Sequence, residues 1–115
     1  MVKRKSGYPV ERKEKMRDGD GVTVIERLLQ PDEMYGKGRL FARMTLNPGS
    51  SIGYHVHEGE MEAFVIIGGE AEYSDNGETV TLLPGDTTLT LDGEGHSIKS
   101  VGAIPLDFIA VILHK

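Results

Sequence analysis

The chain is most tightly constrained by its punctuation. From Pro48-Gly49 onward, turn residues recur roughly every eight to twelve positions, at Gly68-Gly69, Asn76-Gly77, Pro84-Gly85 and the run "DGEG" that ends at Gly95. The segments between them, "SIGYHVH", "MEAFVIIG", "EAEYSD", "ETVTLL", "DTTLTL", "HSIKS" and finally "LDFIAVILH", are too short for helices and carry β-branched and aromatic residues. Asn-Gly between two alternating segments is a strong two-residue hairpin signal, because both central residues of that turn need positive φ. Upstream, "RLFARMTL" places Leu40, Ala42, Met44 and Leu46 on one face, and a first strand is expected over residues 22–29, with a loop or short helical turn over 30–38. The fold class that follows is all-β, a sandwich or barrel of short strands.

The chain of 115 residues has the size of one domain, and 15 glycines with neither cysteine nor tryptophan suit tight turns and exclude disulfides. We divide it into a basic N-terminal arm, residues 1–21, and a β-domain, residues 22–115. Residues 1–17 hold seven of the 13 Lys and Arg, so the rest is strongly acidic and the net charge is −5. That balance argues against a nucleic-acid partner. The basic start has no apolar stretch behind it and reads as cytoplasmic, and the run Phe108 to Leu113 is too short to cross a membrane, so no membrane partner is expected. "DGDG" at 18–21 fails as a calcium loop, because Val22 and Leu29 stand where acidic ligands would be needed.

The chemistry is concentrated between residues 47 and 100. His55 and His57 lie one residue apart on a strand, so both imidazoles point to the same side. Glu62, on the next strand, shares its parity with Phe64 and Ile66, and His96 shares its parity with Ile98 after a glycine-bounded loop. Three histidines and one carboxylate can therefore meet on an inner face and bind a metal. Glu58 and Glu60 are expected in the turn between the two strands, facing water, with Glu60 as the reserve candidate for the acid. Glu94, Arg43 and Tyr35 are conceivable acid, lid or carboxylate-pairing groups, but each reads as a surface residue, and no catalytic residue is assigned.

Gly49, five residues, His55-Val56-His57, four residues, Glu62, six residues and Gly69 resembles the first signature of the cupin family. A partial second signature runs from Gly85 through Leu91, where a proline is usual, Gly93 and His96 to Ser100, where an asparagine is usual. The resemblance is to the small single-domain cupins, including oxalate-decarboxylase-like members. It implies a double-stranded β-helix, or jelly roll, with a metal held in the wide end by His55, His57, Glu62 and His96.

Such a ligand set suits one divalent transition metal (manganese, iron, cobalt, nickel, copper or zinc) and no other cofactor. A dication with one carboxylate keeps a surplus positive charge, so the expected partner is a small carboxylate or enolate seated against an apolar wall of Phe64, Ile66 and Ile98. Decarboxylation or oxygenation of an oxalate-like acid is one reading, and a metal-dependent binding or sensing protein that leaves its ligand unchanged is the other. A homodimer is expected, with residues 22–29 covering a neighbour's sheet.

Overall fold

A computed structural model describes all residues, 1–115, and contains ten strands and three short 3₁₀ turns. The strands are β1 (Val10–Glu14), β2 (Val22–Leu29), β3 (Gly38–Leu46), β4 (Ser51–Val56), β5 (Glu60–Gly68), β6 (Ala71–Asp75), β7 (Glu78–Leu82), β8 (Thr87–Thr90), β9 (Gly95–Ser100) and β10 (Leu106–His114). They form a six-stranded sheet ordered β1-β2-β3-β10-β5-β8 and a four-stranded sheet ordered β4-β9-β6-β7. Every pairing is antiparallel. No helix is long and apolar enough to cross a membrane.

The inner faces are written in the alternation of the sequence. On β3, Leu40, Ala42, Met44 and Leu46 are buried, and on β10 the seemingly continuous apolar run buries Leu106, Phe108, Ala110 and Ile112. These two strands pair at the centre of the larger sheet, with Phe108 opposite Met44 on one side and Ile66 on the other. Ile52, Tyr73 and Ile98 close the core from the smaller sheet. Asn76 and Gly77 turn β6 into β7 with φ of 52° and 94°, as the hairpin signal requires.

Two features differ from the sequence expectation. Residues 10–14 form a strand, β1, that pairs with β2 from Val10 opposite Glu26 to Glu14 opposite Val22. All five β1 residues are exposed, so "VERKE" carries no apolar alternation, and only the hydrogen-bonding edge of β2 makes it a strand. Consequently β2 is paired on both sides within its own chain and offers no free edge with which to cover a neighbour.

Phe108 is wholly enclosed and packs with its ring tilted 51° at 4.7 Å from Phe64, which in turn stacks on His96, so it supports the candidate site from beneath. Phe108→Ala should cost about 3–5 kcal/mol, seen as an earlier midpoint in denaturant unfolding with the slope unchanged.

Candidate metal centre

Parity along β4 does not by itself bring its histidines inward. Ile52 is buried, so strict alternation would turn His55 outward, but the register shifts between Ile52 and His55: Ile52 sits opposite Ile98, and His55 opposite His96. One extra residue on β4, around Gly53 and Tyr54, is a β-bulge that restores His55 and His57 to the inner face. Glu62 projects from β5 beside Phe64, and His96 from β9 beside Ile98, as expected.

The side chains of His55, His57, Glu62 and His96 converge, each offering one ligand atom, with all four atoms within 4.8 Å of one another. Nε2 of His57 lies 3.1 Å from Nε2 of His96, which lies 3.2 Å from Nε2 of His55. Oε1 of Glu62 is 2.9 Å from Nε2 of both His57 and His96, and 4.0 Å from that of His55. With bonds of about 2.1 Å, neighbouring ligands of an octahedral ion lie about 3.0 Å apart and opposite ones about 4.2 Å, whereas a tetrahedral ion sets every pair near 3.4 Å. Four of these separations lie near 3 Å and that between His55 and Glu62 is 4.0 Å, distances that suit the bond lengths of a transition-metal ion.

The far side of each imidazole explains why these atoms are bare. Nδ1 of His55 donates to the Gly53 carbonyl at 2.8 Å, and Nδ1 of His57 donates to Oε2 of Glu60 at 2.6 Å. Nδ1 of His96 meets the hydroxyls of Tyr73 at 2.7 Å and Thr90 at 2.9 Å. With their one proton committed to Nδ1, neutral His55 and His57 turn Nε2 lone pairs toward the Glu62 carboxylate, so acceptors face acceptors. Such a cluster could hold a cation among its members, and the donor set fits a divalent transition metal.

Proton affinities follow from the same contacts. Burial pushes His55 down to about 4, with the neighbouring His96, His57 and Arg17 adding to the fall against the Gly53 hydrogen bond. The hydrogen bond to Glu62 holds His57 above its ordinary value despite burial. Burial alone would raise the Glu62 carboxyl, but hydrogen bonds from His57 and His96 outweigh it and keep it low. Glu60 is held at about 2, chiefly by Arg39, which grips both its oxygens at 2.7 and 2.8 Å.

Glu60 corrects the sequence reading. It opens β5 with its side chain largely enclosed, facing His57 rather than water, while Glu58 is exposed. The parity that selects Glu62 also selects Glu60, two residues earlier, and was the signal available in the sequence. Tyr73, Thr90 and Arg39 carry no such signal, because their roles depend on how the two sheets close.

A cavity of about 360 Å³ opens onto the cluster, with His55, His57 and Glu62 in its wall. Phe64 lines it as expected, but Ile66 and Ile98 do not: both are sealed in the core, because the strands run on past the cavity floor. Its apolar wall comes instead from Ile25, Leu40, Met44, Ile52 and Ile112. None of Glu94, Arg43 and Tyr35 lines the cavity. Glu94 is tied to Leu91 in its own loop and to Asn76 in the β6–β7 turn, Arg43 is paired with Asp107, and Tyr35 is in solvent.

Gly53 serves the site twice. Its carbonyl orients His55, and its missing side chain admits the arm: a Cβ there would stand 2.0 Å from the Arg17 carbonyl oxygen. Gly53→Ala should therefore lift the turn around Arg17 off β4, cost about 1–3 kcal/mol, and weaken metal retention. Denaturant unfolding and a metal titration check both effects, with Gly7→Ala, which meets nothing within 4 Å, as the control.

Comparison with known proteins matches this architecture. The oxalate-binding protein of Thermotoga maritima is 47% identical over 113 residues, spanning 98% of this chain and 93% of that protein. The crystal structure of a predicted oxalate decarboxylase from Thermotoga maritima superposes over the whole of both chains with a TM-score of 0.96 and 46% identity. The cupin domain of an XRE family transcriptional regulator from Enterobacter cloacae is similar over 81% of this chain and 97% of that one, with a TM-score of 0.70 and 25% identity. The cupin domain family matches residues 42–112, which include all four clustered residues, and the chain belongs to that family.

Proposed function

We propose that this protein holds one divalent transition metal through His55, His57, Glu62 and His96, and captures on it a small carboxylate of the oxalate type. The observation that carries the reading is the convergence of three imidazole nitrogens and a carboxylate oxygen within 4.8 Å, with Nδ1 of His55 and of His57 committed to outer acceptors. The 47% identical relative named for oxalate binding supports the choice of ligand class. When bound, the metal supplies Lewis acidity and a surplus charge of about +1 against Glu62. The four residues would hold the metal from one side and leave it open toward the cavity, where two oxygens of one acid could bind together, which makes the second bond cheap in translational entropy.

The protein's own residues bind and orient. Glu60, locked by Arg39, fixes the His57 ring, the hydroxyls of Tyr73 and Thr90 fix His96, and the apolar wall excludes water from one side of the ligand. Two readings of the consequence differ. In one, the metal-bound acid is decarboxylated or oxygenated. In the other, it is bound and released unchanged, as in a carrier or sensor. The second is favoured because the three acid or carboxylate-pairing residues conceivable from sequence, Glu94, Arg43 and Tyr35, all lie outside the cavity.

Calorimetry with oxalate, acetate and oxamate on metal-loaded and chelator-treated protein tests the reading. Oxalate should bind at least about tenfold more tightly than acetate, only with metal, and should be recovered intact after incubation under oxygen. Equal binding without metal would sink it. His96→Ala should abolish metal binding. Metal must compete with the proton for His57, whose proton affinity the Glu62 carboxylate raises, so metal affinity should fall as pH is lowered, with proton release on loading at low pH read from buffers of different ionisation enthalpy.

We also propose a homodimer, formed through the outer face of the larger sheet. There Val65 neighbours Ile109, and Ala63 neighbours both Leu89 and Val111, giving an apolar patch across β8, β5 and β10 in which Val65 and Leu89 are exposed. A second copy offers the same patch, and two such faces can pack as the layers of a sandwich do. Light scattering should report a dimer for the native chain and a monomer for Val65→Glu/Leu89→Glu, with metal content unchanged.

A further inference from the structure

The cavity is larger and more cationic than a short acid on a metal requires. Oxalate fills about the space of three waters, at ~30 Å³ each, roughly a quarter of the cavity's 360 Å³. The cavity wall includes Lys13, Lys15, Arg17, Arg27 and Arg39 against the carboxylates of Glu14 and Glu62. In a chain of net charge −5, that concentrates five of 13 basic residues around one opening. Arg27 is neutralised by Glu11 and Arg39 by Glu60, at 3.0 and 2.7 Å. Lys13, Lys15 and Arg17 make no ion pair.

These free cations are positioned by the fold. The 3₁₀ turn Met16–Asp18 is docked on β4: Ser51 donates its backbone N–H to the Asp20 carbonyl at 2.8 Å, and the Ser51 hydroxyl accepts the Asp20 N–H at 2.9 Å. Met16 packs on the core, and the Arg17 carbonyl fits the space left at Gly53. Lys15, Arg17 and Asp18 adopt left-handed backbone with φ of 49°, 53° and 62°, a conformation such residues take only where the surroundings hold them. The arm is thereby fixed across the mouth with Lys15 and Arg17 at the cavity wall, and Arg17 is near enough to His55 to act on its charge.

We propose that the cavity recognises a two-headed acid longer than oxalate, with a chelating 2-hydroxy or 2-oxo carboxylate at the metal cluster and a second anionic group, carboxylate or phosphate, held by Lys15 and Arg17. The inference rests on the reading of the four-residue cluster as a metal centre. The clustered residues take one end of the ligand, the apolar wall its methylenes, and the arm its far charge. Both cationic side chains are presented to a partly enclosed space beside low-dielectric walls, where an anion gains more than in open water.

The test uses manganese-loaded, full-length protein and four probes: oxalate, 2-hydroxyglutarate, 2-hydroxypentanoate, and the 4-phosphate ester of 2,4-dihydroxybutanoate. The first two hydroxy acids share a chelating head and chain length and differ only in the distal carboxylate. Calorimetry should show 2-hydroxyglutarate binding about tenfold more tightly than 2-hydroxypentanoate, and the phosphate ester tells which distal anion is preferred. In Lys15→Gln/Arg17→Gln, whose altered side chains are exposed, that difference should disappear while oxalate binds as before. Equal affinity of the two hydroxy acids in the native protein, with oxalate still metal-dependent, would overturn the distal site alone. Loss of oxalate and both hydroxy acids alike in the variant would overturn it too, by showing that the arm acts through the metal cluster. Metal-independent binding of oxalate would instead remove the metal-centre reading on which the proposal stands.

Discussion

Three imidazole nitrogens and a carboxylate oxygen, gathered within 4.8 Å of one another, form the interaction around which the rest of the molecule is arranged. Lone pairs facing lone pairs are unfavourable when the imidazoles are neutral, so the polypeptide must hold the four side chains in place. It does so from behind. The Gly53 carbonyl and the Glu60 carboxylate each accept from an Nδ1, which fixes tautomer and ring direction of His55 and His57 together, and the Tyr73 and Thr90 hydroxyls hold the His96 ring. Glu60 can serve only because Arg39 neutralises it; without that partner, another carboxylate next to Glu62 would add repulsion where the site already has too many acceptors.

The scaffold's contribution is the distance between its sheets. His55, His57 and His96 come from the four-stranded sheet and its connecting loop, Glu62 from the six-stranded one, and they meet because Phe64, Phe108, Ile52 and Ile98 hold the layers apart by a well-packed core. Phe64 is the shared element. It belongs to the core, lines the cavity and stacks 5.0 Å from His96, so the packing beneath the site and the orientation of a ligand are the same contact. The bulge in β4 is the one departure from regular pairing on this face, and it is what lets Ile52 and His55 both point inward.

Much of this was legible in the chain. The alternation of β3 and β10, the Asn76-Gly77 hairpin and the common parity of Glu62 with Phe64 are local properties, and local rules suffice for them. The pair His55 and His57 is legible only in part: their mutual parity was plain, but the bulge that sets it relative to Ile52 depends on cross-strand register. What was not legible is set by contacts far apart in sequence. Strand β1 has no apolar pattern and exists through the edge of β2, the Arg39 side chain on β3 meets Glu60 on β5 past the intervening β10, and the depth at which Ile66 and Ile98 lie follows from where the sheets close, so residues on the inner face were taken for residues at its mouth.

Whether such a centre stops at capture depends on what else reaches its ligand. Beyond the clustered residues, Glu14 is the one carboxylate in the cavity wall, and it stands on β1, an exposed edge strand with no enclosed residue. A group that moves a proton in a transition state needs a position fixed to within a fraction of an ångström of the reacting atom, and an exposed side chain on the outermost strand lacks the packing to supply it. Arg39 and Arg27 are committed to Glu60 and Glu11, so neither is free to move a charge during a reaction. The same arm that closes the mouth therefore offers charge without a preorganised acid or base. That combination accords with the proposal of an anion held and released unchanged.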